Sequence, residues 1–269
     1  MSDKPIGKRI AEARKARSLT QAELADKLGV TYQAVSSWER DAAIPDTFNL
    51  IELARKLDVS VSSLVEERGE YEFTTQKELF DWEHMASFIR HTARAKGFRN
   101  TLKALDFAIK AHKDGYRKNS RVPAIYHPLN VTCHCYAMGI EDDDILAACL
   151  LHDVVEDTGN TPESLPVSER AKELVDLLTK KKGQEDDAYF KAIRKNSAAA
   201  LIKCTDRCNN ITTMAWGFGR KKIYNYIEET EKYILPLLKA VKKDPDYNNA
   251  AWLLQYQIES MLDIYKRLM

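Results

Sequence analysis

The chain has 269 residues, 44% of them hydrophobic and 30% charged, with 41 Lys and Arg against 40 Asp and Glu. That length suits two domains, each able to bury a core, and the net charge of +1 excludes a molecule-wide field for polyanions, so any binding must come from local sites. No run approaches the roughly 20 apolar residues of a membrane span, the N-terminus lacks the apolar stretch of a signal peptide, and an odd number of cysteines fits free thiols in a reducing cytoplasm.

In chain order, residues 6–66 read as five short helices. Ile6, Ile10 and Ala13 form one apolar stripe, and Leu19, Ala22, Leu24, Ala25 and Leu28 continue it. Thr20 and Glu23 have capping-box spacing. Gly29 stands where that helix should stop, and Thr31 can cap the next, over 32–40. Helix, tight turn, helix is the sequence form of a DNA-binding motif, with a small dimerisation or partner-binding module as the alternative. Lys4, Lys8, Arg9, Arg14, Lys15 and Arg17 outnumber Asp3 and Glu12, a local excess suited to phosphates. The segment as a whole is not strongly basic, so one copy should bind DNA weakly.

Glu66, Glu67, Arg68, Gly69 and Glu70 interrupt the apolar pattern. The expected organisation is therefore a first domain over 1–66, a linker over 67–78 and a second domain over 79–269. Helical periodicity returns at 79–94, 101–112, 129–139, 171–178, 197–210, 222–242 and 250–268. Convincing two-residue alternation is absent, so the fold class expected is all-α. Residues 217–222 read as a mobile loop. Cys133, Cys135, Cys149, Cys204 and Cys208 read as core thiols, because alternate residues on a helix diverge and apolar neighbours surround them.

The chemistry concentrates at His152, Asp153, Glu156 and Asp157, which follow the apolar run 145–151. On one helix these positions make two adjacent stripes, and the run implies burial. Burying them unaided would cost several kcal/mol each, on the order of the effective penalty in real proteins. A divalent cation would offset that, since imidazole and carboxylate are its natural ligands. A half-exposed helix with a polar face is the plainer alternative. His127, just before Pro128, is biased toward an extended or turn conformation at the lip of the helix over 129–139. Asp206 and Asn210 share a helix face, although Asp206 could simply pair with Lys203 or Arg207. His127, His152, Asp153 and Asp206 together supply two nitrogens and two oxygen donors, a set for manganese, iron, zinc or magnesium and unlike a thiolate-rich structural zinc site. Glu156 and Asp157 remain to orient a water or accept its proton. Arg117 and Lys118 either contact an anionic or planar substrate or belong to a solvated loop.

Two resemblances sharpen this reading. Leu19-Thr20-Gln21-Ala22-Glu23-Leu24-Ala25, Val35-Ser36-Ser37-Trp38-Glu39-Arg40 and Ile44-Pro45 resemble the Cro/repressor-type helix-turn-helix family, over about 6–64. The resemblance implies a recognition helix in the major groove, with Thr31, Tyr32, Gln33, Ser36 and Ser37 at base edges and Gln33 able to pair with adenine. It implies Gln21 on a phosphate, Val35 and Trp38 in the core, and homodimers on palindromic double-stranded DNA.

Tyr126-His127-Pro128, the segment AACLLHDVVEDT at 147–158, Thr179-Lys180, LIKCTDRCNN at 201–210 and residues 228–237 resemble the hydrolase domain of Rel/SpoT-type alarmone enzymes, which are HD phosphohydrolases, over about 88–241. The resemblance implies removal of the 3′-pyrophosphate from guanosine tetra- or pentaphosphate, usually with manganese. It implies His127, His152, Asp153 and Asp206 as ligands, Glu156 and Asp157 positioning the attacking water, Asn210 at the ribose and Arg117 on the guanine. Two departures bear on base selectivity. Cys208-Asn209 stands where the family commonly has Leu-His, and the spacing from Arg117 to His127 is one residue longer. With Met269 closing the sequence, a stand-alone hydrolase without a synthetase domain is expected, fused to a DNA-binding domain and able to regulate its own expression. The alternatives are a transcription regulator using the HD domain as a nucleotide sensor, and an HD phosphohydrolase acting on another nucleotide such as NADPH.

Overall fold

Short-range signals build the N-terminal helices α1 (Ile6–Ala16), α2 (Gln21–Leu28), α3 (Tyr32–Glu39), α4 (Thr47–Leu57) and α5 (Val61–Val65). The Thr20 hydroxyl accepts the Glu23 N–H at 3.2 Å, and the Glu23 carboxylate accepts the Thr20 N–H at 2.7 Å, so two of the donors left open at the start of α2 are satisfied. Gly29 ends α2 at φ 67°, a left-handed conformation that costs other residues more. Thr31 caps α3 and Asp46 caps α4, each accepting a backbone N–H three residues on. Ile10, Leu24, Val35, Trp38, Leu53, Leu57 and Leu64 form the buried core. Helix α1 packs against α3 at Gly7, where a Cβ would lie 2.2 Å from the Trp38 carbonyl oxygen.

These coordinates are a computed structural model, which describes residues 5–65, 81–113, 115–116 and 122–268. The chain divides into two compact units, Met1–Gln76 and Lys77–Met269. The linker expected over 67–78 lies outside the described residues, as do Lys4, Arg117 and Lys118.

The second unit contains α6 (Trp82–Lys96), α7 (Arg99–Ala111), α8 (Tyr126–Ala137), α9 (Asp143–Leu151), α10 (Val154–Thr158), α11 (Glu169–Leu178), α12 (Asp186–Ile193), α13 (Ser197–Gly217), α14 (Arg220–Glu229), α15 (Leu235–Val241) and α16 (Asn248–Leu268). The fold is all-α; among the described residues the sole extended pairing is an isolated bridge between Tyr116 and Pro123. Helix α9 lies at the centre, packed by α7, α8, α11 and α13. Every residue from Ile145 to Leu151 is buried, which is why the run is apolar all round rather than striped. Its N-terminus is tied to α7, with the Asp143 carboxylate accepting the N–H groups of Asn100 and Thr101 at 3.0 and 2.7 Å.

Four sequence expectations need correction. The helix expected over 129–139 starts at Tyr126, so His127 and Pro128 sit inside its first turn. Proline is tolerated there because the missing N–H would have had no intrahelical partner. His152 and Asp153 do not continue one helix; they form a turn between α9 and α10, and of the five residues of α10 only Val154 is buried. Residues 217–222 are mostly helical, with Gly217 ending α13 and Arg220, Lys221 and Lys222 opening α14. The helix expected over 222–242 is interrupted by a π turn, Thr230–Ile234, just ahead of Pro236. Pro236 offers no N–H to that turn and crowds the carbonyl four residues back.

Candidate metal centre and its cleft

Three long-range packings bring the ligand candidates together. The first turn of α8 carries His127, the turn after α9 carries His152 and Asp153, and the middle of α13 carries Asp206. His127 Nε2 lies 3.0 Å from Asp206 Oδ1, 3.2 Å from His152 Nε2 and 3.5 Å from Asp153 Oδ2. His152 Nε2 lies 3.2 Å from Asp153 Oδ1 and 3.7 Å from Asp206 Oδ1. His127, His152 and Asp206 are each about 5% exposed or less. His152 Nδ1 stands 2.8 Å from the Cys149 carbonyl oxygen. A carbonyl can only accept, so Nδ1 carries the proton and Nε2 presents its lone pair to the cluster. Two imidazole nitrogens turned on one another with two carboxylates around them are a donor set for a divalent cation.

The charges of the cluster act strongly on one another. Burial alone would lower the His152 imidazole pKa, but Asp153 and Asp206 carry it well above its ordinary value. Burial would raise the Asp206 carboxyl, yet Lys203 and the two histidines hold it well below the carboxylate range. Asp153 is likewise held low by His152 and His127 against its burial. Lys203 Nζ sits 3.0 Å from Asp206 Oδ2, and Asn210 Nδ2 donates to Asp206 Oδ1 at 2.6 Å. Of the two pairings open to Asp206 in the sequence, Lys203 is the one formed. Arg207 turns away to Glu229, to Thr230 Oγ1 at 3.1 Å, and over the Tyr226 ring.

The cluster opens into a cleft of about 450 Å³ lined in part by His112, Tyr116, Tyr126, Asp157, Asn210 and Phe218. That volume falls in the usual range for small-molecule sites. Burial, and then the neighbouring Asp153, raise the Asp157 carboxyl above its ordinary pKa. Glu156 does not line the cleft; its carboxylate accepts the Lys180 N–H at 2.6 Å. Glu156 and Asp157 are both exposed, contrary to the buried setting the sequence implied, because the chain leaves the core at the His152-Asp153 turn. His112 was not singled out by spacing. It is buried, and burial lowers its pKa against the pull of Asp157 and Asp153.

Cys208 and Asn209 face elsewhere. They line a separate pocket of about 300 Å³ with His134 and Gln257. Asn209 Nδ2 donates to the Thr205 carbonyl at 2.9 Å and lies 3.2 Å from His134 Nδ1. Cys135, Cys149, Cys204 and Cys208 are buried thiols, as expected for core packing, and Cys133 is half-buried.

In the first unit, Thr31, Tyr32 and Gln33 are exposed at the start of α3, Ser36 and Ser37 are partly exposed, and Val35 and Trp38 are buried. Gln21 Nε2 donates to Glu39 Oε2 at 2.7 Å. Arg14, counted above with the phosphate-facing residues, is 9% exposed and bound to Glu39 at 2.6 Å, so it is an internal brace.

Residues 124–244 match the HD domain model, and residues 10–64 match a helix-turn-helix model. MESH1 of Xenopus tropicalis, a guanosine-3′,5′-bis(diphosphate) 3′-pyrophosphohydrolase, is 30% identical over 145 residues, which cover 47% of this chain and 78% of that protein. The chain belongs to the HD-domain family of the MESH1 proteins. An Aquifex aeolicus protein, also named guanosine-3′,5′-bis(diphosphate) 3′-pyrophosphohydrolase, is 34% identical over 145 residues, 50% of this chain and 20% of its own length. The N-terminal unit is similar to the Bacillus subtilis HTH-type transcriptional regulator ImmR, 40% identical over 60 residues, 22% of this chain and 47% of that protein. Among the described residues, no helix is long and apolar enough to cross a membrane.

Proposed function

We propose that this HD-family chain is a metal-dependent 3′-pyrophosphohydrolase of guanosine tetra- and pentaphosphate, working in the cytoplasm and carrying a DNA-binding domain. The observation that carries the reading is the meeting of His127, His152, Asp153 and Asp206, with His127 and Asp153 lining a cleft of about 450 Å³. Relatives named for this activity support the substrate class. Cys208 and Asn209, the departures in the 201–210 segment, line a different pocket, which favours retention of that substrate.

In this reading the four residues hold one manganese ion, which supplies Lewis acidity and neutralises charge on the phosphoryl oxygens. Asp157 receives a proton from the attacking water, whose oxygen bonds to the phosphorus next to the ribose 3′ oxygen. The bond from that phosphorus to the 3′ oxygen breaks, the 3′ oxygen takes up a proton, and pyrophosphate leaves. Glu156, fixed on the Lys180 N–H, keeps the acidic face of α10 in register. Asn210 holds Asp206 and meets the ribose, while Arg117 and Lys118 meet the base and a phosphate. A panel of guanosine tetraphosphate, guanosine pentaphosphate and NADPH tests the substrate, scored by release of pyrophosphate or phosphate. Turnover of NADPH alone would displace the alarmone reading.

For the N-terminal unit, Thr31, Tyr32, Gln33, Ser36 and Ser37 read bases in a palindromic site, Gln21 approaches a phosphate, and the chain acts as a homodimer. Selection of bound sequences from a random duplex pool tests this: recovery of a two-fold symmetric site supports it, and recovery of no preferred sequence contradicts it.

A further inference from the structure

We infer that His112 is a positioning residue of the hydrolytic site, whose Nε2 holds the Asp157 carboxylate in the direction that grips the attacking water. The inference rests on the hydrolase reading above.

His112 closes α7 and is 6% exposed. Its backbone N–H is satisfied by the Ala108 carbonyl at 3.0 Å, but its side-chain Nε2 is buried without a hydrogen-bond partner among the described residues. Leaving such a hydrogen bond unmade is costly, and a buried orphan in a native fold calls for an explanation. Inert packing would be served better by Leu or Phe in the same volume.

The surroundings supply one. His112 and Asp157 line the same cleft, together with Asp153. Of the charged groups that act on His112 among the described residues, Asp157 is foremost and Asp153 second, with His152 and His127 behind them. The two members of the acid pair on α10 also differ. Glu156 is anchored by the Lys180 N–H, whereas no hydrogen bond acts on the Asp157 carboxyl among the described residues. A residue with an unpartnered donor-capable nitrogen and a residue with an unanchored carboxylate thus line the same cleft. A hydrogen bond from Nε2–H to one Asp157 oxygen, not made in this structure, would satisfy both once the carboxylate turns toward Nε2 and would leave the second oxygen for the water. Asp153 is spoken for by the histidine cluster, so of the two carboxylates lining the cleft among the described residues Asp157 is the one left to His112.

The test uses the full chain loaded with manganese, and His112→Leu, His112→Asn and His112→Gln. A glutamine amide nitrogen reaches roughly where Nε2 lies; that of asparagine stops near Nδ1. Guanosine tetraphosphate turnover, KM and bound manganese are measured for each. The Leu and Asn variants should lose about 10- to 100-fold in kcat, the scale of a misplaced catalytic group, with KM and manganese content unchanged. The Gln variant should recover most of the loss. His112→Leu should add little in an Asp157→Asn background, because both changes remove one function. A rise in KM at constant kcat would make His112 a substrate ligand and overturn the inference, as would equal losses in all three variants. A wild type that releases no pyrophosphate overturns the hydrolase reading and this inference with it; an active wild type beside unimpaired Leu and Asn variants overturns this inference alone.

Discussion

Glu39 shows how much one side chain organises in the N-terminal unit. Its carboxylate accepts Arg14 at 2.6 and 3.0 Å and Gln21 at 2.7 Å. Burial would raise its pKa, but these hydrogen bonds outweigh burial and hold it below the ordinary carboxylate value. A carboxylate lowered by folding adds stability that is fully present above its unfolded pKa, about 4.3 for Glu, and is lost as pH falls through the folded value. Calorimetry should therefore show the unit's melting temperature dropping as pH falls below about 4.3, and Glu39→Gln should flatten that acid limb. Equal acid sensitivity in both proteins would contradict this. Arg207 offers a second residue-scale case. Its guanidinium joins α13 to Glu229 and Thr230. Arg207→Met should lower the urea-unfolding free energy of the second unit by about 1–3 kcal/mol, no more, because Glu229 is 38% exposed and water screens the pair. At this scale the sequence made the histidine and aspartate set legible, since few other roles suit a His-Asp pair after a wholly apolar run. It left Arg14 and His112 hidden, because burial of a charge and orphaning of a nitrogen depend on which distant helices arrive.

Elements divide by whether their cause is local. Thr20, Glu23, Gly29 and Thr31 act over three or four residues, so the boundaries of α2 and α3 could be read directly. The His152-Asp153 turn, the π turn before Pro236 and the short helix α12 could not, since packing around α9 and α13 decides them. The site followed the same division: its members were legible, while the separation of Glu156 from the cleft came from a break that no spacing announced. Gly7 gives the sharpest element-scale prediction. Ala there would drive a Cβ into the Trp38 and Glu39 backbone, which cannot move as a side-chain tip would. Gly7→Ala should destabilise the first unit by about 1–3 kcal/mol or more, the usual range for overpacking. Loss of the capping box in Thr20→Ala should cost about 1 kcal/mol. Calorimetry of the full chain checks both; a Gly7→Ala unit as stable as wild type would show that α1 does not pack closely on α3.

At the scale of the molecule, a helix-turn-helix unit and an HD unit share one chain, each with its own core. Gln33→Ala should weaken binding to the selected palindrome by about 1–3 kcal/mol, the value of one bidentate base contact, while pyrophosphate release stays at the wild-type rate. Unchanged affinity would remove Gln33 from the recognition surface. The claim on which the rest depends is that His127, His152, Asp153 and Asp206 hold one cation that makes the HD unit a hydrolase. It is tested most directly by measuring bound manganese and pyrophosphate release from guanosine tetraphosphate for wild type and Asp206→Asn side by side. The account predicts about one tightly held ion and steady release for wild type, and loss of both in the variant; retention of metal and activity by Asp206→Asn would contradict it.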